Sequence, residues 1–168
     1  MHNISEIYVR LSVCQSLSLG LVLVSIVIPL NYVSATELEG NDHDNVLSGT
    51  MNSDFISGKA GNDKLFGNGG NDNITGGSGD DFTQGDLGND TISGNLGNDT
   101  IQGGAGNDLI NGDDGNDLLI ASFANDSLSI RDFVPDTINC GAGNDTAFIN
   151  VSDNDTVSSD CETVISSP

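Results

Sequence analysis

The chain is expected to fold as an all-β solenoid, a parallel β-roll wound from nine-residue units. Three observations lead there. From Gly58 to Ile120 the sequence repeats every nine residues, seven times without a gap. Each copy has Gly at its first and fourth places and Asp at its sixth. The eighth place reads Leu65, Ile74, Thr83, Ile92, Ile101, Ile110 and Leu119, apolar in all but one copy. A short period held in phase this long is a repeat architecture, and it outranks local propensity.

The composition of one copy follows from its geometry. Glycine at two nearby places permits positive φ and a tight turn that a Cβ would block. Asn at the fifth place is the next most tolerant residue for such a turn. After the Asp come three residues, x-apolar-x, with one side chain pointing inward as in a short strand. Turn, strand, turn and strand then make one coil from two copies. Strands this short and glycine-rich need outside help. Stacking brings Asp63 over Asp81 and Asp72 over Asp90 on the two edges of the coil. Like charges so placed repel unless a cation sits between them. Donors that are all oxygen, carboxylates and turn carbonyls without His or Cys, select a hard cation such as calcium.

The pattern resembles G-G-x-G-x-D-x-U-x, the repeats-in-toxin (RTX) or hemolysin-type calcium-binding repeat. The resemblance implies a right-handed parallel β-roll in which each calcium lies between turns two copies apart. The metal ligands are then Asp54, Asp63, Asp72, Asp81, Asp90, Asp99, Asp108 and Asp117, with Asp145 further along. Backbone carbonyls of the turns at Gly58, Gly67, Gly76, Gly85, Gly94, Gly103 and Gly112 complete the set. The uninterrupted copies from Gly49 to Ile120 alternate between two edges. Bridging every gap along them calls for about six ions, of the weak extracellular class.

Around this array the chain divides into four parts. Residues 1–35 read as an export signal: Arg10 supplies a weak positive start, Leu17 to Leu30 is an apolar run, and Val33-Ser34-Ala35 fits cleavage after Ala35. The run is short of the roughly 20 apolar residues of a membrane span. An uncleaved anchor over Leu11 to Val33 is the alternative. A lipoprotein reading fails, because Cys14 precedes the apolar run. Residues 36–39 are a polar lead-in, and residues 40–120 are the calcium-binding roll. Its first copy, Gly40–Ser48, has His43 and Asn45 at the fourth and sixth places and reads as a cap with a weak site or none. The second, Gly49–Ser57, keeps Gly49, Asp54 and Ile56.

Residues 121–168 continue the frame in degraded form. Ala121–Ser129 keeps Asp126 and Leu128 but has Ala at both glycine places. Ile130 is then an extra residue, Arg131–Asn139 carries Asp136 and Ile138, and Cys140–Phe148 carries Gly141, Gly143 and Asp145. Ile149 is a second extra residue before Asn150–Ser158 with Asp155 and Val157. Slips of this kind are absorbed as bulges or loosened turns. Cys140 and Cys161 form an even pair beyond the leader and read as a disulfide in an oxidising compartment.

Charge narrows the functions. With 25 acidic against four basic residues the net charge is -21, which argues against nucleic acid or an anionic membrane and for cations. Low aromatic content with this acidity describes a chain that is disordered until the cation arrives. The sequons at Asn73, Asn89, Asn98, Asn125, Asn144, Asn150 and Asn154 are by-products of the repeat's own Asn-Asp. His43 has no nucleophile beside it, and Asp80-Asp81 and Asp113-Asp114 fall at turns, so no catalytic dyad is read from them. The leading expectation is an exported, monomeric calcium-binding structural module that folds on its ions. The alternative is a calcium-dependent surface adhesin or glycan-binding solenoid. Pooled over all copies, the third and seventh places show no ladder of one residue type, which weakens a flat-lattice binder. An enzyme is not expected: RTX members with activity carry it in a separate domain, and the leader and repeats claim this chain.

Overall fold

The computed structural model describes residues 8–10, 36–121, 134–150 and 154–167, and among these there is no helix. In chain order the strands are β1 (Tyr8–Arg10), β2 (Glu37–Glu39), β3 (Val46–Ser48), β4 (Phe55–Ala60), β5 (Lys64–Gly69), β6 (Asn73–Ser78) and β7 (Phe82–Leu87). They continue as β8 (Thr91–Leu96), β9 (Thr100–Ala105), β10 (Leu109–Asp114), β11 (Leu118–Ile120), β12 (Thr137–Ala142), β13 (Thr146–Asn150), β14 (Thr156–Val157) and β15 (Thr163–Ser167). Even-numbered strands from β2 to β14 stack as one parallel sheet, and odd-numbered strands from β3 to β15 as the other. Only β1 joins antiparallel, beside β2. Apart from β1, the expected leader lies outside the described residues.

The coil is the expected 18 residues. Phe55 pairs with Asn73, Asn73 with Thr91 and Thr91 with Leu109. Ile56, Ile74, Ile92, Ile110 and Ile138 therefore line up along one sheet, while Leu47, Leu65, Thr83, Ile101 and Leu119 line the other, all buried. Thr83 keeps its place in the row although its hydroxyl has no partner there.

Strand length departs from the expectation. The full strands run six residues, from the seventh place of one copy to the third place of the next. Side chains alternate along a strand, so the sixth, eighth and following first places all face inward. Asp54, Ile56 and Gly58 are buried in this way, as are Asp63, Leu65 and Gly67. The first-place glycine is thus a strand residue. Positive φ falls instead at the second and fourth places, at Asn95 (76°) and Gly97 (132°) for example. Lys59, Asn68, Asp86 and Asp113 also take the second-place conformation without being glycine.

The tail corrects the frame. β10 pairs with β12 and β11 with β13 at a separation of 28 residues in place of 18. The degraded frame expected over Ala121–Ser129, with its Asp126 and Leu128, lies outside the described residues apart from Ala121. Beyond it the stack resumes, with Thr137 paired to Thr156 and Thr146 to Thr163. Cys140 and Cys161 are joined as a disulfide that ties the last coil down.

Candidate metal centre

Stacking converts the sixth-place aspartates into two continuous ladders. On one edge, the backbone N–H groups of Thr36, Asp54, Asp72, Asp90, Asp108 and Asp136 donate in turn to Oδ1 of Asp54, Asp72, Asp90, Asp108, Asp136 and Asp155, at 2.7–3.0 Å. On the other, Asn45, Asp63, Asp81, Asp99 and Asp117 donate to Oδ1 of Asp63, Asp81, Asp99, Asp117 and Asp145, at 2.7–2.9 Å. The N–H of Asp145 closes that ladder on Oε2 of Glu162 at 2.8 Å. Each carboxylate therefore spends one oxygen on holding the coil before it.

The second oxygen is the unusual one. Oδ2 of Asp63, Asp72, Asp81, Asp90, Asp99, Asp117 and Asp145 is buried with no hydrogen-bond partner among the described residues. Beside it stands a first-place glycine, packed so closely that no Cβ fits. A Cβ on Gly58 would collide with Asp63 Oδ2 and come within 2.5 Å of the carbonyl oxygen of Gly76 in the next coil. The same triad recurs upward: Gly67 with Asp72 and the Gly85 carbonyl, Gly76 with Asp81 and Gly94, Gly85 with Asp90 and Gly103, Gly94 with Asp99 and Gly112. At the ends, Gly49 stands with Asp54 and the Gly67 carbonyl, Gly103 with Asp108 and Ala121, and Gly112 with Asp117 and Cys140. Gly40 with Asn45 and the Gly58 carbonyl makes an uncharged version.

Comparison with known proteins decides what this arrangement is. The model of the RTX calcium-binding nonapeptide repeat, built of four copies, matches residues 48–83 and again residues 84–128. This stretch is similar to the RTX calcium-binding repeat. No curated protein matches the chain. The repeat family implies calcium, and the residues present fit it. Each such turn offers an unpartnered carboxylate oxygen and a backbone carbonyl of the next coil beside one glycine, oxygen donors of the kind a hard cation takes. Among the described residues no three His, Cys, Asp or Glu side chains gather at one point.

Electrostatics agree with the geometry. Burial pushes Asp72, Asp81, Asp90 and Asp117 up to about 6 and Asp99 to about 7. The ladder N–H groups pull the other way, and neighbouring carboxylates such as Asp81 and Asp117 beside Asp99 add to the rise. Asp63 is raised for the same leading reason. Asp54 differs in its partners: its Oδ2 accepts the N–H of Thr50 at 2.6 Å and the Thr50 hydroxyl at 3.0 Å. Of the expected ligands it has the least oxygen to spare.

Two features of the array escaped the sequence. Fifth-place Asn was read as a turn residue, yet it shows no positive φ and builds a third kind of ladder. Oδ1 of Asn71, Asn89 and Asn98 accepts the N–H of Asn89, Asn107 and Asn116 from the following coil, at 2.9–3.0 Å. This runs opposite to the Asp ladders, so each turn is held from both sides. Glu162 was also missed. Its signal was the spacing Glu162-Thr163-Val164, which repeats Asp155-Thr156-Val157.

The first-place glycine gives a direct test of the cradle. Gly94→Ala is expected to lower the number of bound calcium ions by one, read by equilibrium dialysis, since its Cβ would push the Asp99 carboxylate and the Gly112 carbonyl out of place. An unchanged ion count would place the cation elsewhere.

Proposed function

We propose that the protein is an exported calcium-binding structural module whose chain folds when ions enter the cradles between stacked coils. The observation that carries this reading is the row of buried carboxylate oxygens without a partner among the described residues, each packed with a carbonyl of the next coil beside a glycine. Leaving such an oxygen unmatched costs stability, and a bound cation would remove that cost and tie two coils together. The proposed ligands are Asp63, Asp72, Asp81, Asp90, Asp99, Asp108 and Asp117, with Asp54 weaker, alongside the carbonyls of the glycines named above. The apolar contribution alone is thin. Burying a Leu or Ile yields about 1.5–3 kcal/mol, and one such residue in nine does not offset the ordering of the other eight. Calcium binding is then folding free energy, and a chain that stays unfolded until it meets millimolar calcium outside the cell suits export by the expected N-terminal signal.

Calcium titration of the chelator-stripped protein, followed by far-UV circular dichroism, tests this. The expected result is a cooperative change from coil to β with calcium, near the millimolar range, and none with magnesium. A β spectrum that survives the chelator would defeat calcium-driven folding.

One observation favours the second reading, a calcium-dependent adhesin or glycan-binding solenoid. The ninth place, outside the third and seventh compared above, forms an outward column on one sheet. Ser57, Thr75, Ser93, Asn111 and Asn139 stand in register on the even-numbered sheet. Small hydroxyl and amide groups repeated along a flat face suit an extended polar ligand. Part of this column is already spent internally, since Asn139 donates to Asn111 at 2.8 Å.

A further inference from the structure

The outward faces of the two sheets differ in where their aromatic rings stand. On the odd-numbered sheet Phe66 and Phe82 pack against each other, ring centroids 6.0 Å apart. Phe55 on β4 pairs with no ring among the described residues and is 59% exposed. It borders a groove of about 130 Å³ on the outside of β2, β4 and β6. One wall is the seventh-place column Glu37, Phe55 and Asn73, and the other is the ninth-place column Glu39, Ser57 and Thr75. The eighth-place backbone between them is the floor, its side chains buried on the far side. The side chains of Glu37, Ser57, Asn73 and Thr75 make no hydrogen bond with the described residues, and Glu39 meets Lys59 at 3.1 Å. The fold does not use these polar groups.

Their mixture selects a ligand. An aromatic face takes an apolar surface, and the polar groups around it need partners that both give and accept hydrogen bonds. A sugar ring supplies both, a C–H face and a rim of hydroxyls. An organic ammonium ion would engage Phe55 and Glu37 but leave the hydroxyls and the amide idle. Glu37, Glu39 and the net charge of -21 repel an acidic polysaccharide. Size narrows the ligand further. Drug-sized ligands fill roughly 300–1,000 Å³, so this groove seats one ring and the rest of the molecule lies along the open face. There the ninth-place column continues as Ser93 and Asn111, one polar group per coil. We infer that the Phe55 groove is a carbohydrate subsite that stacks one ring of a neutral glycan, with the ninth-place column guiding the chain beyond it. The inference rests on the glycan-binding reading and gives it a place and a ligand class.

The test follows backbone amide signals of the isotope-labelled, calcium-saturated protein by nuclear magnetic resonance. The probes are cellohexaose, maltohexaose and chitohexaose, with polygalacturonate as the anionic comparison. At least one neutral hexasaccharide is expected to shift the amides of Phe55, Ser57, Asn73 and Thr75. Phe55→Ala should weaken that binding about ten-fold, while Phe82→Ala on the other sheet leaves it unchanged. Asn73→Ala, also an exposed change, should weaken it about three-fold and decides alone if Phe55→Ala loses the calcium-loaded β spectrum. Shifts confined to other amides, or binding that no folded groove variant weakens, would overturn the subsite and leave the glycan-binding reading standing. Tighter binding of polygalacturonate would overturn the neutral class. No binding of any neutral probe would remove the reading and the inference together.

Discussion

Gly97→Ala is expected to destabilise the calcium-saturated protein by about 3–5 kcal/mol, far more than most single-methyl additions. Two costs combine at this fourth-place glycine. Its φ of 132° lies where L side chains rarely go, a strain of about 1–3 kcal/mol. Its Cβ would also collide with the Gly79 carbonyl oxygen and lie 2.5 Å from the carbonyl carbon. Those are backbone atoms of the coil below and cannot swing aside. Moving them apart strains the bond from the Asn98 N–H to Asp80 Oδ1 at 2.8 Å, which holds the same pair of turns. A solenoid is stabilised by nearest-neighbour interfaces, so a wedge at a central coil weakens the whole stack. Asn95→Gly is the matched control. Asn95 already sits at positive φ and its amide nitrogen has no partner among the described residues, so glycine there should change stability by less than about 1 kcal/mol. Urea unfolding in saturating calcium measures both. Gly97→Ala within 1 kcal/mol of wild type would mean that coil spacing is softer than the structure requires.

Much of this was legible in the chain because the repeat makes each residue vote seven times. The 18-residue coil, the inward eighth place and the two Asp edges follow from the period alone, and Cys140 with Cys161 followed from parity and position. What stayed hidden involves relations between places. Asp54, Ile56 and Gly58 read as turn, strand and turn when taken singly, yet they are one inward-facing row, because alternation runs on through the first-place glycine. Glycine there was credited with backbone freedom when its contribution is the absence of a Cβ beside Asp63. The Asn71–Asn89–Asn107 ladder cannot be seen within one copy, because each bond joins two coils. Separating the outward places by sheet was a further step, and only pairing of strands makes it.

Acid is expected to act in opposite directions on the calcium-free and calcium-loaded protein. The ladder carboxylates Asp72, Asp81, Asp90 and Asp117 sit at about 6 and Asp99 at about 7 in the metal-free fold, against 3.8 for an ordinary Asp side chain. A raised acid pKa means that the folded chain binds more protons than the unfolded one. Its stability therefore falls as pH rises through 6 to 7, and the proton-linked contribution is complete only below about 4. Protonation also lowers the self-repulsion of a chain with net charge -21. Stripped of calcium on a chelating resin, the protein should gain β signal as pH is lowered from 8 to 5, with a midpoint near 6. Loaded with calcium it should behave the other way, because protons and ions compete for the same Oδ2 atoms, so the calcium required for folding rises below about pH 6. Circular dichroism across that range, with and without calcium, separates the two arms. A calcium-free chain no more structured at pH 5 than at pH 8 would show that neutralising the ladders is insufficient, and that the cation is needed as a bridge between coils rather than as a charge alone. Increased β signal in acid would show the converse: charge on the buried aspartates is what keeps the empty roll open, and the coil-to-coil hydrogen bonds already suffice to close it.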